Sequence, residues 1–165
     1  MDNILNPVIN WDVFIFWIEI NVHPIRRRPK PGKLDMVIVG SGPGGMAAGI
    51  LAKQKNLSYA ILEKGHNPMQ GIIDTYPKGK KVYPTIPKRY TQPFPVDEVR
   101  PPDERFPVEA YIDQARDVVK SLDLKIRFNE EFKAIEGAYP DYMVKTDKES
   151  YLTSRIILAF GSNIP

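Results

Sequence analysis

Three glycines at fixed spacing carry the clearest chemistry in this chain. In VIVGSGPGGMAAG, residues 37–49, Gly40, Gly42 and Gly45 form G-x-G-x-x-G directly after a short apolar run and at the opening of a helical pattern. Each glycine has its own task. Gly40 permits a tight turn, Gly42 lets a pyrophosphate approach the backbone without meeting a Cβ, and Gly45 lets the helix pack close to the strand. Gly49, four residues on, keeps that contact close. The helix start at Pro43, Gly44 and Gly45 would aim unpaired N–H groups at the anion, helped by the helix dipole, and Pro43 is tolerated because its missing donor falls in the first turn. Glu63, 23 residues after Gly40 at the end of a second apolar run, supplies a carboxylate able to accept hydrogen bonds from both hydroxyls of an adenosine ribose. Lys64 beside it stands as a phosphate contact or a surface lysine. A bland alternative makes the loop a tight turn and Glu63 a solvated strand-end acid.

The elements that must hold these residues follow from the hydrophobic pattern. Residues 36–39 read as a buried strand, residues 43–55 as a helix with Met46, Ala47, Ile50 and Leu51 at helical spacing, and residues 58–62 as a second strand. Strand, helix and strand within about 30 residues make a βαβ unit, which commits the first strands to a parallel sheet. Residues 66–107 contain nine of the sixteen prolines, so the expectation there is an ordered, irregular excursion without a long helix or central strand. Residues 108–122 form a helical pattern with Val108, Tyr111, Ile112, Ala115, Val118, Val119 and Leu122 on one face. Residues 124–128 read as a strand. Three short segments, 132–136, 142–146 and 150–153, read as an antiparallel hairpin or meander, and residues 155–160 as a final buried strand ended by Gly161. The fold class is thus α/β, a Rossmann-like parallel sheet with a β-meander insertion, preceded by a hydrophobic helical arm.

Composition bounds the rest. With 165 residues, 42% hydrophobic and 26% charged, the chain suits one packed domain. It has no Cys, which excludes a disulfide framework, a thiolate metal site and a redox dithiol, and fits a reducing compartment. The formal net charge is +3, but Arg26, Arg27, Arg28, Lys30 and Lys33 in the first 33 residues account for most of the excess. A polyanion-binding surface clusters its cations on the folded domain, so nucleic acid is not an expected partner.

The domain boundary falls at Pro31-Gly32, dividing an arm, residues 1–33, from a folded domain, residues 34–165. Residues 4–22 are largely apolar and about as long as the roughly 20 residues a spanning helix needs, but Asp12 and Glu19 interrupt them. Two readings stay open: a membrane anchor, spanning or interfacial, or a segment packed against a partner subunit or a part of the protein outside this chain. The basic run after it would sit on the cytoplasmic side, so the expected location is the cytoplasm, free or attached to that face of a membrane.

The segments DMVIVGSGPGGMAAGILAKQ (35–54), YAILEKG (59–65), QGIIDTYPKGKKV (70–82) and TSRIILAFGSNIP (153–165) together resemble the FAD-binding half of the two-dinucleotide-domain flavoprotein oxidoreductases, the thioredoxin-reductase-like family. The resemblance implies FAD as cofactor and NAD(P)H as electron donor. It also implies further FAD contacts at Gly71 and Gly161, and adenine contacts from the backbone around Lys133, Ala134 and Ile135. Each glycine also has a plain reading as a turn residue. The family's complete enzymes need about twice this length, so the expectation is a domain incomplete at its C-terminus, inactive without an NAD(P)H-binding half or partner subunit. Where thioredoxin reductases commonly show paired glycines, this chain has Gln70-Gly71.

Two other functions remain open at this level: an NAD(P)-binding domain, and a non-catalytic, membrane-attached electron-transfer or docking subunit that keeps the nucleotide fold. No side chain presents itself as a catalytic acid or base. His23 and His66 read as solvated or structural, and Tyr83, Lys88, Arg89 and Tyr90 as either an acceptor pocket or a stiffened surface loop.

Overall fold

The computed structural model describes residues 32–82 and 106–161. The apolar segment 4–22, His23 and the Tyr83 to Tyr90 stretch lie outside the described residues.

The order of elements is β1 (Lys33–Leu34), β2 (Met36–Val39), α1 (Pro43–Gln54), β3 (Tyr59–Glu63), α2 (Gln70–Thr75), β4 (Lys81–Val82), β5 (Phe106–Pro107), α3 (Val108–Ser121), β6 (Ile126–Phe128), β7 (Phe132–Ala138), β8 (Asp141–Thr146), β9 (Ser150–Thr153) and β10 (Ile156–Leu158). Four strands form a parallel sheet in the order β10-β2-β3-β6. A second sheet, β1-β9-β8-β7, is an antiparallel meander with β1 added in parallel to β9. The expected βαβ unit and meander are both present.

The uninterrupted apolar runs MVIV and YAILE follow from burial on both faces, as parallel sheets require. Because successive side chains alternate, Met36, Ile38, Tyr59 and Ile61 pack with Ala52 of α1 on one face. Val37, Val39, Ala60 and Leu62 pack with Val144 and Tyr151 of the meander on the other. The result is three layers: helices, parallel sheet, meander. Against α1, helix α3 turns Val108, Tyr111, Ile112, Ala115 and Val118 inward to meet Met46, Ile50 and Met69. Burial there pushes the Tyr111 phenol up to about 12.

Both long helices stop in the same way. Asn56 and Asp123 take the left-handed conformation, and the next residue's N–H reaches back to the carbonyl five positions earlier, Leu57 to Ala52 and Leu124 to Val119.

The described residues of segment 66–107 agree with the expected excursion without a long helix or central strand, holding the six-residue helix α2 and the two-residue ladder of β4 with β5. One difference from the sequence reading has a physical cause: the last strand is shorter than residues 155–160 and is not fully buried, because among the described residues it pairs with β2 alone, at the sheet margin, leaving Leu158 45% exposed. Lys33–Leu34, at the expected start of the folded domain, pairs with β9 as a short strand. Among the described residues, no helix is long and apolar enough to cross a membrane.

Candidate nucleotide-binding site

The carboxyl ends of β2, β3 and β10 meet at the glycine turn. The Gly40 N–H donates to Leu62 O at 2.8 Å, and the Ala159 N–H donates to Val39 O at 2.7 Å. Gly40 has φ +98°, and a Cβ there would stand 2.6 Å from Ala159 O, so only glycine fits. Gly45 is equally constrained: its Cβ would lie 1.8 Å from Gly40 O. Gly49 sits where a Cβ would come 2.4 Å from the end of Ile61, which holds α1 close to β3. Gly40 and Gly45 are required because a Cβ at either would meet backbone, whereas Gly49 presses only on a side chain that can shift.

Gly42 differs. Its φ is −68°, and the nearest atom to an added Cβ is Ala159 O at 4.0 Å. Nothing among the described residues demands glycine there, and the missing side chain leaves a clear approach past them to the start of α1. That start, Pro43 then Gly44, has no side-chain cap and no acid in its first turn, so its positive dipole end is left for another group.

Glu63 closes the site from β3. It is 7% exposed, and its oxygens already hold protein donors. Oε2 accepts the Ser41 N–H at 2.9 Å and the Ser41 hydroxyl at 2.6 Å, while Oε1 accepts the Gly65 N–H at 2.8 Å. Ser41, between the first two glycines, is fully buried. Its carbonyl accepts the Met69 N–H at 3.1 Å, which brings the start of α2 against the glycine turn.

The remaining candidates fall at varied distances from this centre. Gly161, φ +75°, is exposed two residues beyond Ala159 at the same end of the sheet, in a conformation that favours glycine whether or not a ligand is near. Gly71 is exposed in the first turn of α2, with nothing within 4 Å of an added Cβ. Its neighbour Gln70 is 8% exposed and turned inward, its side chain filling the space beside Gly65. Lys64 and His66 are exposed. Ala134 is half-buried in β7, beside a register shift in the ladder with β8. The segment leading to it is tied to the site, since Asn129 N–H donates to Gly65 O and Glu130 N–H to Glu63 O, both at 2.9 Å.

Sequence reasoning passed over Ser41, Met69 and Glu130. Ser41 occupies a free position of the glycine pattern, and its partner lies 22 residues away, so no local spacing announces it. Two hollows among the described residues lie away from this chemistry: one of about 520 Å³ at the opposite end of the sheet beside Gly32 and Leu124, and one of about 330 Å³ between α2 and α3.

A parallel sheet whose first strand runs through a glycine turn into a helix, with an acid ending the second, defines a dinucleotide-binding protein of the Rossmann-like class. Residues 37–165 match the pyridine nucleotide-disulphide oxidoreductase family, and the chain belongs to that family. Among curated relatives, it is 30% identical over 130 residues to a ferredoxin–NADP reductase of Acholeplasma laidlawii, covering 78% of this chain and 35% of that protein. It is 43% identical over 53 residues to a thioredoxin reductase of Mycoplasma pneumoniae, covering 29% of this chain and 16% of that protein. Among solved structures, the bacillithiol disulfide reductase Bdr from Staphylococcus aureus superposes with a TM-score of 0.63 at 26% identity, covering 78% of this chain and 38% of that chain. The chain therefore spans little more than a third of the length of the relatives it matches across most of its residues.

The residues fit the adenosine diphosphate portion of such a cofactor. The open approach at Gly42 and the uncapped start of α1 suit a pyrophosphate, and Glu63 lies beside them to meet the attached sugar.

Proposed function

We propose that this chain is the FAD-binding portion of an NAD(P)H-dependent flavoprotein oxidoreductase, passing electrons from nicotinamide through flavin to an acceptor. The observation that carries the reading is Gly42, a glycine that packing among the described residues does not require, at the uncapped N-terminus of α1 and next to the buried Glu63. Its family, and relatives named as reductases of ferredoxin and thioredoxin, support the same reaction class. When bound, the flavin supplies the redox chemistry. The chain's own groups hold the diphosphate on backbone N–H donors, hold the sugar on Glu63, and keep the turn rigid through Gly40, Gly45 and Ala159.

The nicotinamide-binding half belongs, in this reading, to a polypeptide region or partner subunit beyond these residues, in keeping with the share of the relatives that the chain spans. With no Cys, the chain does not itself carry out dithiol exchange.

Purification tests the proposal. The expected product is a yellow protein with the two-banded visible absorption of protein-bound flavin, or an apoprotein that takes up FAD stoichiometrically. A colourless protein that ignores FAD and binds NADH would replace this reading with that of a nicotinamide-binding domain. Binding of neither would favour a docking subunit.

A further inference from the structure

We propose that Ser41 makes the site read one hydroxyl of the adenosine ribose instead of two. The inference rests on the reading of this site as one for an adenine dinucleotide. A carboxylate offers about four acceptor positions, two on each oxygen. In Glu63, the Ser41 N–H and hydroxyl take both positions on Oε2, and the Gly65 N–H takes one on Oε1. Counting the donors of the described residues, a single acceptor position, on Oε1, is left for the sugar.

Ser41 is not free to yield its place. It is fully buried, and its main chain is held from both sides: Gly40 before it donates to Leu62 O, and its own carbonyl accepts the Met69 N–H. At 2.6 Å, its hydroxyl makes a charge-assisted hydrogen bond of the short, strong kind. Turning that hydroxyl away would leave a buried donor without a partner, and a second ribose hydroxyl would gain only what Ser41 lost. Ser41 is therefore a specificity-determining residue that acts through Glu63. It fixes the carboxylate's orientation and removes one of the two contacts a free carboxylate would offer to a vicinal diol.

The test uses the full chain with three probes: FAD, and FAD analogues lacking either the 2′- or the 3′-hydroxyl of the adenosine ribose. Affinities are read by titration of flavin fluorescence, with no turnover needed. One analogue is expected to bind within about twofold of FAD and the other about tenfold or more weakly, the cost of one hydrogen bond to a charged group. In Ser41→Ala the second position on Oε2 opens, so the analogue that the native chain tolerates is expected to bind more weakly than FAD as well. Equal losses for both analogues on the native chain, or no loss for either, would overturn the inference while leaving FAD binding intact. Failure of FAD itself to bind would instead remove the functional reading beneath it. The native-chain comparison decides the matter even where Ser41→Ala does not fold.

Discussion

Just before β2 and β3 begin, Ser58 donates its N–H and its hydroxyl to Asp35 Oδ2, each at 2.8 Å. Where the same two strands finish, Ser41 does likewise to Glu63 Oε2, at 2.9 and 2.6 Å. The local chemistry is the same, one serine giving two donors to one carboxylate oxygen. The surroundings are not. Asp35 returns its own N–H to the Ser58 hydroxyl at 3.0 Å and to the Ser58 carbonyl at 2.9 Å, so the two residues close a ring that straps the strands together. Around Ser41 lie Gly40 and Gly42, an uncapped helix start and a clear approach from outside. A polar clamp alone does not mark a ligand site. What sets the Ser41 end apart, and carries the proposed binding of a dinucleotide there, is backbone left bare beside the clamp, where packing among the described residues does not ask for it.

The contrast can be broken at three points. The largest effect is expected from Gly45→Ala, whose Cβ would overlap Gly40 O. Neither backbone segment can yield cheaply, and denaturant titration should register a loss of about 3 kcal/mol, with cofactor uptake falling because the turn is distorted. Gly42→Val sharpens the distinction between the two kinds of glycine. With 4.0 Å to the nearest atom, its first added carbon fits, and stability should change by under about 1 kcal/mol. FAD affinity in the same variant should fall by roughly a hundredfold or more, because the side chain fills the pyrophosphate approach. A folded Gly42→Val protein that keeps its flavin would show that the open turn is not a cradle. The smallest effect belongs to the strap: Ser58→Ala removes hydroxyl contacts at the far end of the sheet, costing about 1 kcal/mol in thermal or chemical denaturation. FAD affinity should not move. A loss of binding in Ser58→Ala would mean that the two ends of β2 and β3 are mechanically coupled.

Much of this architecture could be read in the chain because burial on both faces leaves a continuous apolar signature. MVIV and YAILE are such runs, and helix α3 repeats its apolar residues at helical spacing. The glycines at 40, 42 and 45 were equally legible as a pattern, although only the structure separates the two that packing requires from the one that it does not. Other features had no local signal. Helix α2 is six residues long, starts after a left-handed Met69 and has no capping side chain, so neither periodicity nor a start motif reveals it. The exposure of β10 comes from its place at the margin, which depends on strand order and not on IIL itself. Ser41 and Glu63 find one another only once β2 and β3 lie side by side.

The seam between Gly40 and Ala159 has a consequence for how the protein is made. Ala159 latches to Val39 and supplies the wall against which Gly40 folds, yet it leaves the ribosome well over a hundred residues after that glycine. A growing chain halted before Ala159 presents the glycine turn without its backing. The glycine turn therefore takes its finished shape only when β10 pairs with β2, after the strands, helices and meander between them have emerged.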